Sequence, residues 1–232
     1  MKNVQICKNC SAENPFYQLN CIKCNSYLRE RVVNIDLWDT IGKMIESPSV
    51  MFRRIIFAEH KNFTFLLTFF IALKILINSF IVIPYFKLDS YLSNNLFVYS
   101  VFSIILVYIL IYASAAVLKV LTGIFNLKSR VSDNSAVIIY AFIPYIFGLV
   151  ILFPVELVLF GQYLFSVNPS PFMLKEFASY VVLGIEGILF LWGITWLFLG
   201  INSFTKTKIF SLFSAVIIFL IVNLFPLLLL LI

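Results

Sequence analysis

Charge is what this chain lacks most. Only 12% of its 232 residues are charged, about half the share found in soluble domains, which excludes an ordinary water-soluble fold. Histidine is nearly absent: His60 is the single one, and it reads as a solvated interfacial residue, not as a ligand or a base. There is no phosphate-cradling glycine loop, no His-Glu-x-x-His and no Gly-x-Ser-x-Gly, so no catalytic constellation can be assembled and no enzymatic activity is expected. Cysteine is missing from everything beyond residue 24.

What is present is apolar. Hydrophobic residues make up 62% of the chain, mean hydropathy is +1.01, and 26 Phe with 11 Tyr suit lipid-facing and interfacial surfaces. Five stretches are each long enough to cross a hydrocarbon core, which needs about 20 helical residues: 63–83, 96–121, 136–160, 178–201 and 209–232. Short connections between them predict an all-α, five-helix transmembrane bundle, with no barrel-like strand pattern. The first roughly sixty residues lack the short apolar core of a signal peptide, so the first span is expected to serve as its own insertion signal.

The basic residues give an orientation. Lys2, Lys8, Lys23, Arg29, Arg31, Lys43, Arg53, Arg54 and Lys61 precede the first span, Lys119, Lys128 and Arg130 flank the second-to-third connection, and Lys206 and Lys208 the fourth-to-fifth. The opposite side has Lys87 and Lys175. This asymmetry predicts a cytoplasmic N-terminus and, after an odd number of spans, an external C-terminus. The formal charge of +6 therefore reports topology; it forms no long basic stripe, and nucleic acid is not an expected partner.

Two Cys-x-x-Cys pairs, Cys7/Cys10 and Cys21/Cys24, occupy a region assigned to 1–31. Each pair presents two sulfurs from one tight turn, and ten intervening residues bring the second pair back to the first, the spacing of a minimal zinc ribbon built from two short hairpins. In a reducing cytoplasm such pairs read as metal ligands, not disulfides. Four protein thiolates would hold a structural Zn2+ with no open position for catalysis. Ser11 and Asn25 stand where such turns want a left-handed residue, commonly Gly.

Residues 32–62 are predicted to be juxtamembrane and amphipathic. Leu37, Trp38, Ile41, Met44 and Ile45 recur at helical spacing, and Ser47-Pro48 opens a second short helix carrying Met51, Phe52, Ile55 and Ile56. Trp38, Phe52, Arg53 and Arg54 are candidate contacts with an anionic leaflet; packing of the same apolar faces beneath the bundle is the alternative. Within the domain assigned to 63–232, Lys74 and Glu186 fall near mid-depth, with Asn223 as a further polar residue and Asn78 and Glu156 nearer the outer face. Ionisable residues at that depth call for partners. A Lys74–Glu186 ion pair across neighbouring helices is expected, as a structural register device or as part of a proton or solute path. Pro144 and Pro226 are expected to bend the third and fifth spans, and Trp192 and Trp196 to pack or anchor.

The order of several loose motifs resembles the Yip domain family, named for interaction with Ypt/Rab GTPases. These are Ile45-Glu-Ser-Pro48, Phe52-Arg-Arg-Ile55, Leu121-Thr-Gly123-Ile-Phe125, Ala136 to Pro144, and Leu191-Trp192-Gly193 through Leu199-Gly200-Ile201, covering about residues 41–232. The resemblance implies a five-span, non-enzymatic integral membrane protein; eukaryotic members act in vesicle traffic and bind GTPases through cytosolic parts. A fused ribbon instead of their long disordered N-terminus points to a prokaryotic cytoplasmic membrane. The expected role is a scaffold or adaptor whose ribbon and juxtamembrane helices dock a cytosolic protein; the alternative is a small-solute or ion transporter using Lys74 and Glu186.

Overall fold

The computed structural model describes residues 4–85, 96–166 and 168–228. Lys2, Lys87 and the last four residues of the expected fifth span lie outside the described residues. The chain begins with an antiparallel pair, β1 (Val4–Ile6) and β2 (Glu13–Pro15), in the register Val4↔Pro15, Gln5↔Asn14, Ile6↔Glu13. An antiparallel bridge between Asn20 and Tyr27 closes a second, smaller hairpin.

Helix α1 (Leu37–Glu46) starts at Asp36, whose carboxylate accepts the Asp39 amide, an N-cap that satisfies one of the helix's free donors. Helix α2 (Pro48–Phe57) follows with proline at its first position, where no amide donor is needed. Its apolar residues Met51, Phe52, Ile55 and Ile56 are buried, in the core shared with the membrane helices. This corrects one sequence expectation. Phe52 is fully buried beneath Gly200, so it packs into the bundle and not into a leaflet. Trp38 is 82% exposed, and Arg53 and Arg54 are exposed too.

Five long apolar segments follow: α3 (Thr64–Tyr85), α4 (Leu96–Ile124), a broken third segment over Val131–Phe165, α9 (Glu176–Thr205) and α10 (Lys208–Leu228). The molecule is an all-α polytopic bundle carrying a small four-cysteine unit. The third segment differs most from expectation, which placed it at 136–160. It runs as α5 (Val131–Ala141), α6 (Ile143–Phe147), a π turn (Gly148–Leu152), α7 (Phe153–Phe160) and a 3₁₀ turn (Gly161–Phe165). Hydropathy misses its start because Asp133, Asn134 and Ser135 are polar; all three are buried and bonded, Asn134 donating to the Ala115 carbonyl of α4 at 3.2 Å. Pro144 lies in the first turn of α6 and marks a break at Phe142, and Pro154 does the same for α7. A short helix, α8 (Pro171–Leu174), leads into α9. The last helix continues through Pro226.

The core lies where α9 and α10 close on the third segment. Phe219 stacks on Phe142 at 4.2 Å and meets Tyr145 and Phe190 edge-on. Gly193 makes this possible: a Cβ there would fall 2.3 Å from the Phe219 ring, which is hemmed in on its other sides. Gly193→Ala should therefore lower stability by about 1–3 kcal/mol, the usual cost of overpacking. Gly187→Ala, with open space around its Cβ, should leave thermal unfolding in mild detergent unchanged.

Candidate functional site

The four cysteines come together at the tips of the two hairpins. Their sulfurs all lie within 4.8 Å of one another, with Cys7–Cys24 at 3.6 Å and Cys10–Cys21 at 3.5 Å. The two turns are copies. In the first, the Ser11 amide bonds the Cys7 carbonyl and the Cys7 amide bonds Ala12; in the second, Asn25 bonds Cys21 and Cys21 bonds Ser26. The residues that close them, Ser11 (φ 56) and Asn25 (φ 57), are left-handed. Cys7 and Cys21 are buried, Cys10 and Cys24 partly so.

Asn14 ties the turns to each other, and nothing in the cysteine spacing singles it out. Fully buried, it accepts the Ile22 amide at 2.9 Å and offers its own amide to the Ala12 carbonyl and the Cys21 sulfur. Such supporting bonds orient metal ligands. Thiol ionisation across the cluster is uneven. Bonds from the Ser26 hydroxyl and amide pull Cys24 down to about 6, and the Ser26 hydroxyl and the Cys10 amide also lower Cys7. The Ala12 amide favours the Cys10 thiolate, but burial and the three neighbouring thiols outweigh it and push Cys10 up to about 12. Four sulfurs this close cannot all ionise without a cation among them. The donor set, the closeness of its four sulfurs and the bonds that support them fit a metal ion held by Cys7, Cys10, Cys21 and Cys24.

The cysteine unit is fastened to the bundle. Phe16 belongs to the main apolar core together with Ile56 and Phe204, and its ring lies 5.0 Å from Phe57. The Arg29 guanidinium covers Phe57 at 4.4 Å, that of Arg53 faces Phe16 at 5.6 Å, and that of Arg130 covers Tyr17 at 4.6 Å. Arg31 pairs with Glu59 through two bonds of 2.9 and 3.1 Å, holding the Glu59 carboxyl below its ordinary range. Beneath this layer, Lys61 donates to the Ile56 and Ala58 carbonyls at the end of α2 and pairs with buried Asp133 at 3.1 Å; Asp133 also accepts two bonds from Arg130. Burial lowers the Lys61 ammonium, and the Asp133 charge opposes that shift. Glu59 and Lys61 sit in the short link to the first span; the sequence singles out Lys61 only as part of the charge asymmetry and Glu59 not at all.

A second polar centre lies inside the bundle. Lys74 of α3 is fully buried, contacts Glu186 Oε1 of α9, and has Glu156 Oε1 of α7 at 3.5 Å. Asn78 donates to Glu186 Oε2 at 2.8 Å. The broken third segment thus sets both Gly148 and Glu156 beside the ammonium. Gly148, in the π turn, leaves room for the lysine, since a Cβ there would sit 3.0 Å from Lys74 Cε. Asn223 does not bond the charged groups. It accepts the Tyr145 hydroxyl at 2.7 Å and lines, with Tyr145, Asn78 and Glu186, a cavity of about 340 Å³ between α3, α6, α9 and α10. Trp196 is buried and meets the half-buried Trp192 edge-on at 5.4 Å.

Fold and site together define a multi-pass helical membrane protein with a four-cysteine, metal-competent unit clamped to one end of its bundle. Neither the family models, the curated proteins nor the solved structures contain a match to this chain.

Proposed function

We propose that the protein is a non-enzymatic membrane adaptor. Its four thiolates hold a structural Zn2+, and the ribbon so formed docks a cytosolic protein at the membrane surface. The observation that carries this reading is the clamp. Phe16 and Tyr17 are fixed against the bundle while Ile6, Ile22 and Tyr27 point outward, 64%, 71% and 73% exposed. Stapling a small domain rigidly and leaving large apolar side chains in solvent suits a docking face. Zinc is the metal this reading assigns, because an all-thiolate tetrahedral set is its usual structural site. The excess of Lys and Arg at the ribbon's end of the bundle supports a cytoplasmic N-terminus. The motif order shared with Yip domain proteins fits a scaffold in a prokaryotic cytoplasmic membrane, and GTPases are one partner class that family would suggest. Crosslinking in the native membrane tests the proposal: the intact chain should bring down a partner that a chain lacking residues 1–31 does not. Identical products from both chains would sink it.

A second reading is favoured by the cavity beside Glu186. A lysine held by two carboxylates next to a polar-floored space in the bundle is an arrangement that proton or solute paths use. In proteoliposomes, Lys74→Leu should then abolish a flux that deletion of the ribbon spares. Equal flux from both variants, or none from the unaltered chain, removes this alternative.

A further inference from the structure

The junction between the cysteine unit and α2 encloses a groove of about 640 Å³ with an unusual lining. Arg29, Arg31, Arg53 and Arg54 all face it, alongside one carboxylate, Glu30, and the apolar Val33, Val50 and Phe57. Two of the four are neutralised. Arg31 pairs with Glu59, and Arg54 with Asp39, which Lys43 also contacts. The other two are not. Among the described residues, Arg29 and Arg53 form no ion pair; each rests on an aromatic ring, and the two rings are 5.0 Å apart.

A guanidinium on a ring face is held in place but keeps its N–H edge for an acceptor. Arg29 spends its terminal nitrogens on the Glu30 and Tyr17 carbonyls, while its Nε–H is buried with no acceptor at all. Burial and the nearby Arg130 charge work against its ionised form, and the Glu59 and Asp133 carboxylates only partly offset them. The four guanidiniums of the groove thus exceed by one charge the carboxylates that line it or pair with them, those of Glu30, Asp39 and Glu59. What would complete the groove is an anion with several acceptor oxygens, and arginine forks match phosphate geometry best.

We propose that this groove binds the phosphate of an anionic phospholipid from the adjoining leaflet, with Arg29 and Arg53 as its ligands. The surroundings favour a lipid over a soluble phosphate. Val50 in the groove is 65% exposed, and on the same pair of short helices Trp38 is 82% and Ile45 58% exposed. Tryptophan and aliphatic side chains beside arginine are the usual composition of a headgroup-level surface. A lipid bound there contacts the ribbon and α2 at once, so the clamp tightens on an anionic membrane. This inference does not depend on the adaptor reading: it concerns the lipid face of the junction, not the outward face of the ribbon.

The test uses the full-length, metal-loaded chain in mild detergent, titrated with short-chain phosphatidylglycerol. Saturable binding is expected, weakened tenfold or more in Arg53→Gln and in Arg29→Gln. Arg29→Lys keeps charge and stem but loses the fork, and should fall between. Lys23→Gln, outside the groove, should bind normally. Metal content reports whether each variant retains its ribbon; since Arg29 also helps hold the ribbon, the exposed Arg53 carries the decisive comparison. Equal binding of short-chain phosphatidylcholine, equal displacement by inorganic phosphate, or unchanged affinity in Arg53→Gln with full metal content would each overturn the proposal.

Discussion

Replacing Cys7 and Cys21 together by serine should remove the metal and release the first thirty or so residues from the bundle. The expected effect is large because little else can fold the ribbon. Its two strands are three residues each, and its buried side chains are chiefly the cysteines, Asn14 and Phe16. Structural zinc in comparably small domains contributes about 10–16 kcal/mol of apparent binding energy, which is folding energy. Loss of the metal should therefore unfold both hairpins, free Phe16 and Tyr17 from the core, and open the N-terminus to protease while the spans stay intact. Metal analysis and limited proteolysis read the two halves of this expectation. A variant that keeps one equivalent of zinc would show that the quartet is not the site. A chelator should reproduce the variant's cleavage pattern on the unaltered chain.

Removing the Lys74 charge should have the other large effect. Lys74→Met leaves Glu156 and Glu186 facing each other in a fully buried site. Breaking a buried ion pair by deleting one partner costs about 3–5 kcal/mol, since the remaining charge is uncompensated. The variant should unfold at a lower temperature in detergent, with the fluorescence of Trp192 and Trp196 as probe. Adding Glu186→Gln to the same chain should recover part of the loss, because it removes the repulsion between the two facing carboxylates and leaves only Glu156 unpaired. If the double variant is no more stable than the single one, the Lys74–Glu186 contact is not what holds these helices.

The spans were legible because hydropathy alone finds them, and their ends were not, because polar residues can be buried. Asp133 and Asn134 look like a loop in sequence, yet bonds to Arg130, Lys61 and the Ala115 carbonyl let them start a helix inside the core. The cysteine spacing announced the metal-competent cluster, and the left-handed Ser11 and Asn25 were readable from turn chemistry. Asn14 was not, since only the fold shows that one amide spans both turns. Phe52 was misjudged for a general reason. An amphipathic helix has the same pattern whether its apolar face meets lipid or protein, and here Gly200 supplies a protein surface flat enough to receive it. The Arg–aromatic clamp was invisible for a related reason. Phe16 and Arg53, or Tyr17 and Arg130, lie far apart in the chain, and nothing local marks them as partners.

One measurement bears most directly on a ribbon fixed to the bundle on one side and offered to a partner on the other. A photo-crosslinking residue is placed at Ile22 or, in a second chain, at Phe16, and the membranes are irradiated in intact cells. Ile22 is exposed and Phe16 is buried against Phe57. The account predicts that position 22 captures another protein, in a band lost on the Cys7→Ser, Cys21→Ser background, while position 16 links only within its own chain. Capture of outside proteins from position 16, with none from position 22, would contradict it.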